Sequence, residues 1–452
     1  MLAIITLTII SIFILFLGFS KNRGMILPLG ILALAVALWS IASGNTFWNE
    51  YFTNMISFEG NSKYFSILLI IIALAIFPFF HELIKRGNEE LADFIGIILL
   101  SIVGGLLMVS YQHMMTLFLG IEILSIAMYV LAGANRRSVN SNEASLKYFI
   151  LGALASAILL FGIALYYAST ASLSVLNPTI KNQELYQLSI LIIMSGFAFK
   201  VALAPFHFWA PDVYQGTPTL FTTVMATLVK IAGFGAIFQF IQAQQSLLPN
   251  WIVWFFALVI VTSMLIGNIF AYNQSSVKRM LAYSSVVQAG FILMGFLNFR
   301  EETSWMVLFY LSAYCLASIV TFMVTYFVEE QSGTDHIHSF AGLSKSNPIL
   351  AVVMTVALIS LAGVPLTAGF MSKLFVLKNA NIVGLTSLVV ISLILAVVSF
   401  YYYFKVINAM YSASGDQKFK IPALYQILLV CFSVALILLG IAPSLLKAVL
   451  QI

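Results

Sequence analysis

Charge is what this sequence has least of. Of its 452 residues, 8% are Asp, Glu, Lys or Arg, against about 25% in soluble domains. With 62% of the residues hydrophobic, no polar shell can be built around a core of that size, which excludes an ordinary soluble domain. Cysteine is nearly absent: Cys315 and Cys431 each stand alone in an apolar run. Lone cysteines neither hold an iron–sulfur cluster nor supply spaced metal ligands. The P-loop, a dinucleotide-binding GxGxxG between strand and helix, and HExxH are all missing. The largest loops, 44–63 and 329–348, are too short for a cofactor domain. The net charge of +5 is spread over short loops with no basic run interleaved with aromatics, so no nucleic-acid face is expected.

What remains is one apolar run after another. A helix needs about 20 apolar residues to cross a bilayer. That ruler places spans at 2–20, 25–43, 64–82, 91–110, 113–133, 147–168 and 186–209. Further spans fall at 218–242, 250–272, 278–298, 303–328, 349–378, 383–412 and 422–449. The expected fold is an all-α polytopic membrane protein of about 14 transmembrane helices. The stretches 349–378 and 383–412 run long, which points to a break, a tilt or an exit into the interface. The N-terminal run has no basic residues ahead of it, its first positive charges being Lys21 and Arg23. It reads as a retained membrane helix, not a signal peptide. One set of alternate loops holds Lys21, Arg23, Lys85, Arg86, Arg136, Arg137, Lys278, Arg279, Lys345, Lys418 and Lys420. The opposite set holds Lys63, Lys181, Arg300, Lys378 and Lys447. The positive-inside rule puts the first set in the cytoplasm and both termini outside.

Charges inside spans are informative because each costs about 2.5–3.5 kcal/mol even on insertion scales. Glu122, Lys200, Lys230 and Lys373 lie well within their spans. Lys147 begins its span and Lys405 lies toward the end of its own, so both can reach the surface. His113 reads as interfacial, His336 and His338 as loop residues, and Asp212 as a cap of the turn after the seventh span. A structural ion pair explains one such charge. It fits poorly for three lysines set against one glutamate.

The stretch GFAFKVALAPFHFWAPDVYQGTP, residues 196–218, joins a lysine to a break. Lys200 and His207 are seven residues apart, two helical turns, so they are expected to share one face. Pro205 between them removes a backbone donor and breaks or kinks the helix. Freed backbone groups at membrane depth are tolerated only inside protein or along a watery cavity. ISLAGVPLTAGFMSKLFVLK repeats the pattern with Gly363, Pro365, Gly369 and Lys373. Paired interruptions in two halves point to an inverted-repeat transporter, the repeats being spans 4–8 and 9–13. The expected division is 1–90, 91–245 (first repeat), 246–415 (second repeat) and 416–452.

These same residues resemble a known family. GFAFKVALAPFHFWAPDVYQGTPT, LFLGIEILSIAMYVLAG, EASLKYFILGALASAILLFGIALYY, GNIFAYNQSSVKRMLAYSSVVQAGF and GVPLTAGFMSK are similar to the N subunits of the type I NADH:quinone oxidoreductases (respiratory complex I). The similarity runs from about residue 91 to 415. The related L and M subunits and the Mrp antiporter subunits usually continue the central block with a histidine-containing PDAH run. Here it reads PDVYQG, which favours N. The resemblance implies a proton-translocating, antiporter-like fold with broken seventh and twelfth helices, set beside K- and M-type subunits in the membrane arm. It implies that NADH, FMN, the iron–sulfur clusters and the quinone belong to other subunits, with no cofactor or metal in this chain. It matches Glu122 to a fifth-helix glutamate that pairs with Lys200, Lys147 to a sixth-helix lysine, Lys230 to a central eighth-helix lysine, and Lys373 to the lysine of the second half-channel. One departure stands out: Gln288 occupies a place where relatives often carry histidine, so water would have to bridge Lys230 to Lys373.

As a mechanism, burial favours a neutral lysine and a nearby carboxylate favours the charged form. A pair about 4 Å apart at an effective dielectric near 20 is worth roughly 4 kcal/mol. Making and breaking the Glu122–Lys200 pair could therefore load and release a proton, pushing one on Lys230 toward Lys373. An Mrp-type Na⁺/H⁺ antiporter subunit is the alternative with the same lysines. An inert scaffold locked by ion pairs is the other, and it predicts damaged assembly in place of lost turnover. Lys230→Ala is expected to abolish coupled proton transfer while NADH oxidation by an artificial acceptor survives in the assembled complex. Normal pumping in that variant removes Lys230 from the path.

Overall fold

The apolar runs become helices whose ends are set by side-chain caps, prolines and glycines. The computed structural model describes residues 1–19, 23–44, 52, 54–85, 90–300, 302–412, 419 and 421–450. Among these residues the regular structure is helical, with only isolated bridge contacts between extended residues. Lys21, Arg86, Lys418 and Lys420 of the predicted charge pattern lie outside the described residues, as do the side chains of Arg23 and Lys85.

The chain divides into two units, one comprising Met1–Val201 with Leu228–Pro249 and the other Ala202–Thr227 with Asn250–Ile452. The first contains α1 (Leu2–Leu17), α2 (Ile26–Ala42), α3 (Asn61–Ile76), α4 (His81–Lys85), α5 (Leu91–Ser110), α6 (Met114–Ala132), α7 (Val139–Thr170) and α8 (Gln183–Lys200). The second opens with the short α9 (Trp209–Gly216). Helix α10 (Thr219–Gln244) starts in the second unit and, from Leu228, belongs to the first. The second continues with α11 (Ile252–Tyr272), α12 (Val277–Met294), α13 (Glu302–Ser332), α14 (Leu343–Ser346), α15 (Pro348–Ala362), α16 (Ala368–Ile382), α17 (Thr386–Ser412), α18 (Ala423–Ile441) and α19 (Leu445–Leu450).

Among the described residues, nine helices are long and apolar enough to cross a membrane, and α1, α2 and α15 are shorter apolar helices. The span predicted at 186–209 ends as a helix at Lys200, and the one at 349–378 divides into α15 and α16. The long stretch at 383–412 is different: α17 runs unbroken from Thr386 to Ser412. It contains neither proline nor glycine, so nothing in its backbone chemistry stops it.

Local chemistry explains the starts. Asn182 accepts from the Leu185 amide at 3.0 Å to begin α8, and Ser276 accepts from Arg279 at 3.1 Å to begin α12. Asn347 caps α15 through the Leu350 amide at 3.2 Å, with Pro348 at the first helical position, where its missing N–H is harmless. Within the first unit, α6 lies tight against α5 because two glycines face each other. A Cβ on Gly104 would sit 2.7 Å from the Gly120 carbonyl oxygen, and one on Gly120 would sit 2.9 Å from that of Gly104. Small residues let helices approach this closely where lipid offers no hydrophobic drive. That contact fixes the height of Glu122 and Ser125, two and five residues further along α6.

Burial sorts the helices by role. Helices α10 and α13 are buried almost throughout, as expected for helices apolar on all sides. Helices α7, α17 and α18 are mostly exposed, with Phe161, Ile394, Val397 and Ile441 among the outward apolar side chains. Such broad apolar faces suit hydrocarbon or a neighbouring chain.

Candidate proton-handling site

Pro205 has no amide hydrogen, so the carbonyl four residues earlier, that of Val201, loses its helical donor. Lysine fills the gap. Lys230 of α10, 2% exposed, donates from Nζ to Val201 O at 2.6 Å. Lys200 is the last residue of α8 and is also buried. One break thus brings two of the predicted residues together: Lys200 ends the helix, and Lys230 holds the carbonyl of the next residue. Ala202 adopts φ +54° in this break, a left-handed conformation that costs a non-glycine residue about 1–3 kcal/mol and persists only where the surroundings enforce it.

The Lys200 ammonium donates to Ser125 Oγ at 2.5 Å, and that hydroxyl donates in turn to Ile121 O. Glu122 lies three residues before Ser125 on the same face of α6. The expected direct Glu122–Lys200 pair is replaced here by the Lys200–Ser125 bond. Glu122 remains within electrostatic reach of the lysine, and its Oε1 is buried without a hydrogen-bond partner. Tyr129, a turn beyond Ser125, places its ring centroid 6.0 Å from Lys200 Nζ.

The second break repeats this solution with different parts. Helix α15 ends at Ala362, and Pro365 deprives the Leu361 carbonyl of its donor. Lys373 of α16, 5% exposed, donates to Leu361 O at 3.0 Å and to Ala362 O at 2.6 Å. Gly363 at φ +88° turns the chain, and its amide and that of Val364 return to Ile359 O, each at 3.0 Å, a glycine-terminated helix end. Gly369 then passes so close to α15 that a Cβ would lie 1.7 Å from Ser360 O. Leu366 at φ +71° is the left-handed counterpart of Ala202. The Lys373 ammonium also sits 4.9 Å from the Phe291 ring centroid, a favourable face for a cation.

Gln288 belongs to this second break. Its Nε2 donates to Leu361 O at 2.9 Å and to Tyr403 Oη at 3.3 Å, while its Oε1 accepts from Tyr310 Oη at 2.6 Å. Ser284 Oγ and Tyr403 Oη are 2.5 Å apart. The carbonyl held by Lys373 is therefore continuous with a chain of amide and hydroxyl groups on α12, α13 and α17. An isolated polar residue in a sequence gives no sign of this, because its partners come from three separate helices.

The other predicted residues fall elsewhere. Helical register ends at Lys200, so the seven-residue spacing to His207 does not place them on one helical face. His207 is buried in the turn before α9, with Nδ1 lacking a hydrogen-bond partner and its ring tilted against that of Phe208, centroids 4.6 Å apart. Lys147 pairs with Glu143 one turn back on α7 at 2.7 Å, with 41% of its side chain exposed. Lys405 donates to Gln274 O at 3.1 Å. Asp212, expected as a turn cap, pairs with Arg279 at 2.7 Å.

Lys278 was the residue hardest to see. Counted among the loop charges, it is 3% exposed in the first turn of α12. It donates to Thr217 O at 3.0 Å, just past α9, and pairs with Glu329 at 3.3 Å, while Thr219 also donates to Glu329. Together with Arg279–Asp212 and the Arg279–Gln215 bond at 3.0 Å, this network pins α9 to α12 and α13. Its only sequence signal is two basic residues just inside an apolar run, and most such pairs face water. Among the described residues, no three His, Cys, Asp or Glu side chains gather as a metal site.

Gln288→Leu keeps the volume but leaves the Tyr310 hydroxyl without its acceptor. The variant is expected to lose about 1–3 kcal/mol of stability, read as a lower thermal midpoint in detergent. An unchanged midpoint contradicts the network.

Comparison with known proteins bears on the family and the fold. The family described as "NADH:quinone oxidoreductase/Mrp antiporter, TM" matches residues 112–399, which include both breaks and Lys200, Lys230 and Lys373. An NADH-quinone oxidoreductase subunit N of Cytophaga hutchinsonii is 38% identical over 452 residues, 98% of each chain. A chain of respiratory complex I from Thermus thermophilus superposes with a TM-score of 0.83 at 33% identity, covering 98% of both chains. A chain of the Mrp complex from Dietzia shares the fold, with a TM-score of 0.82 at 18% identity over 99% of this chain and 96% of that one. The chain belongs to the NADH:quinone oxidoreductase/Mrp antiporter membrane-subunit family.

Proposed function

We propose that this chain is the proton-translocating, antiporter-like subunit of the membrane arm of an NADH:quinone oxidoreductase. It works beside other membrane-arm subunits, and the electron-carrying groups sit in other chains. Lys373 carries the reading. An ammonium buried as half of a structural ion pair calls for a buried counter-charge. Lys373 instead rests on two backbone carbonyls and an aromatic face, and among the described residues no carboxylate lies within ion-pair distance of it.

The chemistry follows from that setting. A charge-assisted hydrogen bond is roughly twice as strong as a neutral one. A proton leaving Lys230 or Lys373 therefore weakens the grip on the break, and a change in the break alters the lysine's hold on its proton. At the first break, swinging Lys200 from Ser125 toward Glu122 exchanges the hydroxyl contact for a pair worth at most roughly 4 kcal/mol at about 4 Å. A pair of that strength exceeds the roughly 2.3 kcal/mol needed to move a charge against 100 mV. The roles assigned to Glu122, Lys147, Lys200, His207, Lys230 and Lys373 belong to this proposal. So do the fourteen crossings, the inverted repeats at 91–245 and 246–415, and outward termini in a bacterial cytoplasmic membrane. Likeness to the Mrp complex concerns the fold alone, and no observation favours sodium exchange.

Lys373→Met removes the titratable group and keeps most of the side-chain volume. Proteoliposomes carrying the assembled variant complex are expected to lose most acidification per NADH oxidised, with acceptor-linked NADH oxidation retained. Full acidification in the variant overturns the proposal.

A further inference from the structure

Three of the five basic residues on the sparsely charged side of the chain meet at one place. Arg300 follows α12, Lys378 lies near the end of α16, and Lys447 sits on α19. All three line a cavity of about 450 Å³ together with Asn298, Glu302 and Trp305. A volume of that size suits a small bound group. Positive charge prevails in the lining, since Glu302 is its one carboxylate. Among the described residues none of the three cations lies within 4.0 Å of a carboxylate.

Two of the three side chains make local contacts. Lys447 Nζ sits 5.2 Å from the Trp305 ring centroid, and Arg300 Nε donates to Asn298 Oδ1 at 3.1 Å. That bond orients the Asn298 amide, whose Nδ2 is buried and has no hydrogen-bond acceptor among the described residues. A guanidinium, two ammonium groups and an amide donor with no acceptor ask for one kind of ligand: a compact anion rich in oxygen. The cavity lies past the end of α12, at the start of α13, along the second half of α16 and beside α19, helix-end positions that suit the surface of a membrane. Its apolar wall includes Phe375 and Ile382, which suits the start of an acyl chain. Simple snorkelling explains each lysine alone. It does not explain why they converge on a side of the chain that is otherwise poor in positive charge.

We infer that this cavity binds a phosphate-bearing anion, in place the headgroup of an anionic phospholipid. The inference does not rest on the proton-handling reading, since none of these residues belongs to either break.

The test uses the assembled complex in phosphatidylcholine nanodiscs doped with spin-labelled phosphatidylglycerol, comparing the native chain with an Arg300→Gln, Lys378→Gln, Lys447→Gln triple variant. Each basic side chain beside an anionic headgroup contributes a factor of about five in affinity, so the triple variant is expected to bind about a hundredfold more weakly. The immobilised label should fall accordingly, Lys378→Arg should keep it, and co-purification of the other membrane subunits should report intact assembly in all three. Broadening of the inorganic phosphate resonance by the native chain alone, with no lipid immobilised, keeps the phosphate site and makes free phosphate its source. Equal immobilisation in native and triple-variant complexes overturns the inference. So does equal retention of spin-labelled phosphatidylcholine, or a native chain that holds neither probe because another subunit fills the cavity.

Discussion

A backbone carbonyl stripped of its helical donor in a medium without water must be given another donor. Two prolines create that need in this chain, at Val201 and at Leu361, and a buried lysine meets it each time. Two costs offset each other. Burying an ammonium is unfavourable, and so is leaving a carbonyl unsatisfied. Placed together, the lysine gains an acceptor and the break gains a donor. The price is that neither is independent: the proton on the lysine and the path of the backbone become one equilibrium.

The two breaks share this principle and differ in execution. At the first, the donor comes from α10, a helix separate from the broken one, and a second lysine ends the helix next to a hydroxyl and a carboxylate. At the second, Lys373 belongs to the helix that resumes after the interruption, and the carbonyl is shared with a glutamine that leads into tyrosines and a serine. One break is rich in charge and the other in neutral polar groups. The first therefore suits a switch driven by electrostatics, and the second suits passage of a proton along hydroxyls.

How much of this is legible in the sequence depends on whether the signal is local. Pro205 and Pro365 announce their breaks because the missing amide is a property of one residue. Glu122, Lys200, Lys230 and Lys373 announce themselves because charge is rare in apolar runs. The choice of partner is not local. Nothing in the sequence says that Lys200 rests on Ser125, that Lys147 faces outward toward Glu143, or that Gln288 meets Tyr310 and Tyr403. Lys278 is the sharpest case: one residue inside the helix start, it reads as a loop charge and is buried against Glu329. The spacing of Lys200 and His207 misled for the opposite reason. It assumed a helix across the very proline that ends it.

The central claim is that lysine ammonium groups hold the two proline-freed carbonyls. A density map of the assembled complex, sharp enough to show lysine ends and ordered water, tests it most directly. The account predicts Lys230 Nζ within about 3 Å of Val201 O, and Lys373 Nζ equally close to the Leu361 and Ala362 carbonyls. Lysines turned to lipid headgroups, or carbonyls already bonded to amides of their own helices, would contradict it.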